Sequence, residues 1–158
     1  IFNDLVYNFV FHPNGQTIFG ISGNILLEWS ISDSTVIRKK VFGYDKFTSL
    51  DVDRSGSHIV VSTDKGVFII FSYLEFKPIY AYKNKFPILN IKFYDDKKSI
   101  FLGDESGSIV THSLVYCRGM KIQAHSEFLT SLCISPNGKY LGSCSGDLNV
   151  KIWMIDKL

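Results

Sequence analysis

The sequence predicts an all-β fold assembled from four copies of one unit of short strands. Three observations predict it: a turn position that recurs every 41 residues, apolar pairs in front of those turns at the same step, and an apolar run closed by a bulky ring in every copy. Gly15, Gly56 and Gly138 occupy equivalent turns, with Lys97 at the third equivalent position. Ahead of them stand Phe9 and Phe11, Leu50 and Val52, Ile91 and Phe93, and Leu132 and Ile134. The later runs end at Trp29, Phe71, His112 and Trp153, in steps of 42, 41 and 41.

Within each unit the elements follow from the letters. Strand a is read from alternation, as in Phe9-Val10-Phe11 or Leu132-Cys133-Ile134, which places one set of side chains on one sheet face. Asn14-Gly15 and Asn137-Gly138 then supply the positive φ that a tight hairpin requires. Strand b is the run Ile18-Phe19-Gly20-Ile21 and its equivalents, from Ile59, Ile100 and Leu141. A second turn, at Asp64-Lys65-Gly66, Glu105-Ser106-Gly107 or Gly146-Asp147-Leu148, leads into strand c, for example Val67 to Phe71. Looser fourth segments, Ser34 to Ile37 or Pro78 to Ala81, read as strand d. No stretch carries a helical period.

These residues resemble the WD-repeat family, whose unit is one four-stranded blade of a β-propeller. The fourth unit carries the resemblance best: Ala124-His125 stands at the Gly-His place, Ser135-Pro136-Asn137-Gly138 forms the turn after strand a, and Trp153 closes strand c. The others depart from the pattern. Unit two has Gly43-Tyr44 and Phe71, unit three has Lys83-Asn84 and His112, and unit one keeps Trp29 without an upstream His. The resemblance implies four repeats at approximately 1–38, 39–80, 81–121 and 122–158. Four units make about half of a seven- or eight-bladed ring, so the expected object is an incomplete propeller, with apolar blade faces open at both ends. The ring would be completed by the rest of the polypeptide or by a second copy. The last unit ends after strand c, and Ile1 to Leu5 would supply its fourth strand only if four blades closed alone.

Composition excludes several classes. With 158 residues, 46% hydrophobic and 20% charged, the chain reads as an ordinary globular segment. A net charge of +2 argues against nucleic acid or an anionic membrane as partner, and the clusters Arg38-Lys39-Lys40, Lys83-Asn84-Lys85 and Lys97-Lys98 read as solvated loops. No run approaches the ~20 apolar residues of a membrane-spanning helix, and no signal peptide opens the sequence. Three cysteines, Cys117, Cys133 and Cys144, without a CxxC pattern, suggest free thiols in a reducing compartment, the cytoplasm first and the nucleus second. Cys133 and Cys144 are expected to pack as small hydrophobes. The four histidines fall at different blade positions, so no metal site is expected, and no glycine loop for phosphate is present, so no cofactor is expected either.

His125, Asp147 and Ser143 or Ser145 contain the parts of a hydrolase triad. No strand-to-helix elbow or helix N-terminus is at hand to expose the nucleophile and build an oxyanion hole. The resemblance implies instead that His125, Ser143, Asp147 and Trp153 form a buried hydrogen-bonded chain that fixes the blade. Function then falls to the rims. Lys46-Phe47, Lys85-Phe86 and Glu127-Phe128 pair an aromatic with a charge at the entry to strand a, a combination suited to an interface. Tucking of these rings between blades is the competing expectation. The function expected is that of a non-catalytic scaffold for proteins or peptides within a larger assembly. The alternative is a regulatory propeller, such as a guanine nucleotide exchange factor for a small GTPase in vesicle coat assembly, suggested by the segment Leu102 to Ser108.

Overall fold

The computed structural model describes residues 5–43, 45–94 and 98–158. The a-to-b turns close on glycines in the left-handed region, with φ of 69° at Gly15, 75° at Gly56 and 68° at Gly138, where a side chain would be strained. Lys97 and Tyr44 lie outside the described residues, as do Ile1 to Asp4 of the opening segment. From these turns the chain runs up and down. Strands β1 (Val6–Phe11), β2 (Thr17–Ser22), β3 (Ile25–Ser30) and β4 (Val36–Val41) form the first antiparallel sheet. Strands β5 (Phe47–Val52), β6 (His58–Thr63), β7 (Val67–Ser72) and β8 (Lys77–Lys83) form the second. Strands β9 (Ile88–Tyr94), β10 (Ser99–Asp104), β11 (Ser108–Ser113) and β12 (Arg118–Gln123) form the third. The last sheet holds β13 (Leu129–Ile134), β14 (Tyr140–Ser145) and β15 (Val150–Met154), and a single 3-10 turn follows at Ile155–Lys157. Four blades of this kind define a β-propeller architecture.

The one irregular step in the repeat has a local cause. Ser22 and Ile25 pair across the two-residue turn Gly23-Asn24, whereas Thr63 and Val67 are separated by the three residues Asp64-Lys65-Gly66. The shorter turn removes one residue from blade 1 and brings Trp29 one place earlier. The repeat boundaries at 38, 80 and 121 fall within β4, β8 and β12. These outer strands carry sequences such as VIRKKV and RGMKIQ, solvated along much of their length, so alternation does not mark where they end.

Successive sheets bury their faces against one another. Phe19, Ile21 and Leu26 meet Phe47, Leu50, Ile59 and Phe71 in the first seam. Val60, Phe68 and Ile70 meet Ile88, Ile91, Ile100 and Val110 in the second. Phe101 and Ile109 meet Leu129, Leu132, Leu141 and Ile155 in the third. Two faces have no neighbour among the described residues. On the first sheet Val6, Phe9, Ile18 and Trp29 line a hollow of about 440 Å³, with Phe9 and Phe11 exposed. On the last sheet Val150, Ile152 and Met154 are exposed. Cys133 is exposed on this last sheet and Cys144 half-buried, so the expectation that both pack in a core is corrected: their strands border the uncovered face.

Candidate functional site

Antiparallel strands bring the d-to-a loops and the b-to-c turns to one rim. Backbone bonds tie the two sets together: Asn84 N–H donates to the Gly66 carbonyl at 2.7 Å and His125 N–H to the Gly107 carbonyl at 2.9 Å. The approach is too close for a side chain, since a Cβ on Gly66 or Gly107 would stand 2.4 Å from the carbonyl oxygen of Phe86 or His125. The residue at each loop entrance is thereby held over the neighbouring blade.

In blade 4 the structure brings the four predicted network residues together. His125 Nδ1 lies 2.9 Å from Asp147 Oδ2, and His125 Nε2 lies 2.8 Å from Ser143 Oγ. Trp153 Nε1–H donates to the same Ser143 oxygen at 2.9 Å. Burial alone would raise the Asp147 carboxyl, but bonds from the His125 side chain and from the Asn149 and Ser126 N–H groups outweigh it and hold the pKa at about 2. Ser143 is fully buried and its oxygen is engaged on two sides, so it offers no nucleophile to a substrate. Ser145 Oγ donates to the Glu127 carbonyl at 2.9 Å.

Blade 3 has other residues at these places and is wired differently. Asn84 stands where blade 4 has His125, and its Nδ2 donates to Asp104 Oδ2 at 3.3 Å and to the Phe86 carbonyl at 3.0 Å. Asp104 is fully buried and accepts from Ser106 and Ser108 N–H at 3.0 and 3.1 Å. His112 replaces the tryptophan. It is fully buried against Phe68, Tyr80 and Tyr82, with Nε2 2.8 Å from the Tyr80 hydroxyl and Nδ1 without a hydrogen-bond partner among the described residues. Burial lowers its pKa. Sequence reasoning placed His112 as a strand-ending ring; the signal for more was an imidazole at a position otherwise held by Trp or Phe.

The predicted rim aromatics divide. Phe128 is 45% exposed, Phe86 is half-buried, and Lys46, Lys85 and Glu127 are exposed. Phe47 is 2% exposed, packed edge-on to Phe42 with ring centroids 5.1 Å apart, and is withdrawn from the partner-binding set. The repeat explains the correction. A step of 41 from Phe47 reaches Ile88 and Leu129, both fully buried, whereas Phe86 and Phe128 sit at other register positions. The basic cluster Arg38-Lys39-Lys40 is likewise corrected from loop to strand, because Arg38 in β4 forms an ion pair with buried Glu28 at 2.6 Å.

The seams are filled unequally. In the first, the Tyr73 hydroxyl donates to Glu28 at 3.1 Å, and the Arg38 guanidinium lies 4.7 Å from the Tyr73 ring and 4.6 Å from the Phe76 ring. His12 stacks on Tyr73 at 4.4 Å and its Nε2–H donates to the Gly56 carbonyl at 2.9 Å. In the third, the Tyr94 hydroxyl donates to the equivalent Gly138 carbonyl at 3.1 Å. The second seam has Asp53 at that position. A carboxylate cannot donate to a carbonyl, and Asp53 turns to His58 and Ser55 in its own blade at 3.0 and 2.8 Å. A groove of about 590 Å³, lined by Ile70, Tyr80, Phe93 and Leu114 among others, opens beside it.

Four antiparallel sheets in sequence order, packed face to face through three apolar seams, make this a blade-repeat protein. Residues 116–154 match the family described as "WD domain, G-beta repeat". That match, the relatives below and the blade architecture support a WD-repeat β-propeller. It is 32% identical to human striatin over 68 residues, 43% of this chain and 8% of striatin. Bovine striatin-3 is 32% identical over 68 residues, covering 43% of this chain and 7% of that protein. The Target of rapamycin complex subunit wat1 of Schizosaccharomyces pombe is 27% identical over 79 residues, 46% of this chain and 25% of wat1. The chain therefore spans a quarter or less of these relatives. No helix among the described residues is long and apolar enough to cross a membrane.

Proposed function

We propose that this chain is part of a non-catalytic propeller that docks proteins or peptides through the rim of d-to-a loops and b-to-c turns, as a module of a larger assembly. The observation that carries the reading is the division of labour in blade 4. Its reactive groups, His125, Ser143 and Asp147, are consumed within the blade, while Phe128 and Glu127 stand exposed on a loop pinned by Gly146 N–H to the Phe128 carbonyl at 3.0 Å. Similarity to wat1, a complex subunit, supports the same reading. The open apolar faces on the first and last sheets fit completion of the ring by further blades of the polypeptide or by a second copy. Free Cys117, Cys133 and Cys144 fit a reducing compartment such as the cytoplasm. The exchange-factor alternative draws nothing from Leu102 to Ser108, because Asp104 is spent on its own turn.

The test is co-purification of partners with the intact protein and with a Phe86→Ala, Phe128→Ala variant, followed by mass spectrometry. Loss of partners from a variant that stays folded is expected. Retention of every partner by a folded variant overturns the reading.

A further inference from the structure

We propose that the cleft between β8 and β12, at the rim end of the second seam, binds an acidic segment of a partner protein, with glutamate or aspartate side chains on its lysines and an apolar residue against its aromatic rings. This rests on the docking reading above and names the chemistry of one partner site. The cleft holds about 480 Å³ and is lined by Tyr82, Lys83, Asn84, Lys85, Gly119 and Lys121. Three lysines line it, Lys83, Lys85 and Lys121. Lys121 Nζ lies 3.6 Å from Asp104 Oδ2 and 4.7 Å from the Phe86 ring centroid, and Lys85 Nζ lies 5.4 Å from the same ring. Lys83 Nζ donates to the Lys65 carbonyl. Asp104 is fully buried and matched to Lys121, whereas among the described residues Lys83 and Lys85 meet a carbonyl and an aromatic face and form no ion pair.

Gly119 opens the floor. It pairs with His112 across the sheet, and His112 Nδ1 lies 3.7 Å from where a Cβ on Gly119 would stand. This buried nitrogen has no hydrogen-bond partner among the described residues, so an unsatisfied polar atom lies next to a glycine of the cleft lining. In the tautomer that accepts the Tyr80 hydroxyl at Nε2, Nδ1 carries a proton and adds a positive dipole under the bound acid. Separate ammonium groups favour dispersed carboxylates. A bidentate guanidinium fork, the usual reader of a single phosphate, is absent from this lining. The half-buried Phe86 ring and Tyr82 supply flat apolar surface beside the charges.

The test is fluorescence anisotropy of a labelled Glu-rich peptide with a central Phe, titrated with the intact protein at low and high salt. Binding that weakens with salt, falls ~10-fold or more in Lys83→Glu, Lys85→Glu, and is unchanged in Lys39→Glu, Lys40→Glu on β4 is expected. Equal weakening in both variants overturns the proposal in favour of a general field effect. Equal affinity for the Gln counterpart of the peptide overturns it, as does tighter binding of a Gln peptide bearing one phosphoserine. If the Glu-rich peptide fails to bind while Phe128→Ala still strips partners from the protein, the cleft proposal falls and the docking reading stands.

Discussion

The first and second seams occupy the same place in the repeat and are built from different materials. At equivalent positions the first has His12, Phe19, Glu28, Arg38 and Tyr73, and the second has Asp53, Val60, Ile70, Tyr80 and Leu114. The first is plugged by half-buried Arg38, paired to buried Glu28 and stacked between aromatic rings, and is tied across the blades by His12. The second is smaller in side-chain volume, carries no equivalent donor at Asp53, and opens a groove at one end and a basic cleft at the other. Blade packing and partner binding thus draw on the same positions: where the sequence fills a seam it spends its polar groups on the fold, and where it underfills one it leaves them to a partner.

The largest expected effect comes from breaking the filled seam. Arg38→Met removes the cation from Glu28, whose side chain is 1% exposed, and should cost about 3 to 5 kcal/mol in urea unfolding. A loss under ~1 kcal/mol would show that the ion pair is not what holds this seam. Ser143→Ala, in the blade that keeps its full polar chain, leaves the groups that His125 and Trp153 direct at one oxygen unpaired and should cost about 1 to 3 kcal/mol. Unchanged thermal unfolding there would contradict the structural role of the network.

The open seam carries its own pH signature. Burial holds the His112 pKa below its ordinary value of 6.5, so between the folded and unfolded pKa values the unfolded chain binds the proton and the folded one does not. Stability from this residue is therefore fully lost only at the folded pKa and begins to fall as pH drops through about 6.5. His112→Phe should flatten that loss in unfolding measured from pH 7 downward, and an unchanged profile would remove His112 as its source. The smallest effect is expected from filling the groove. Leu114→Tyr copies Tyr73 of the first seam and should alter stability by less than about 1 kcal/mol or raise it, whereas overpacking of a filled seam would cost ~1 to 3 kcal/mol.

How much of this was legible in the sequence varies with the kind of residue. Strands a, b and c showed because their alternation or apolar runs reflect burial, and the glycine turns showed because Gly15, Gly56 and Gly138 share one left-handed geometry. The outer strands showed in part: Pro78 to Ala81 lies within β8, but Ser34 to Ile37 stops short of the basic half of β4, and Arg38-Lys39-Lys40 reads as a loop until Arg38 is seen paired across the sheet with Glu28. The blade 4 set was legible from spacing and type, while the Asn84–Asp104 bond of blade 3 was not, because a substituted position has no fixed partner to look for. Phe47 was misread through chemistry alone, when its own step of 41 to Ile88 and Leu129 already placed it inside. The cleft was hidden because its lysines come from β8, a loop and β12, which only the fold brings together.

Native-state hydrogen exchange of the intact protein compares the two seams most directly. The outer strands β4 and β8 are equivalent, and each is half-paired at a sheet edge, so their relative protection reports the seam beside them. Slower exchange in Val36–Val41 than in Lys77–Lys83, with the order reversed or abolished by Arg38→Met, is the predicted result. Equal protection of the two strands in the unsubstituted protein would contradict unequally filled seams.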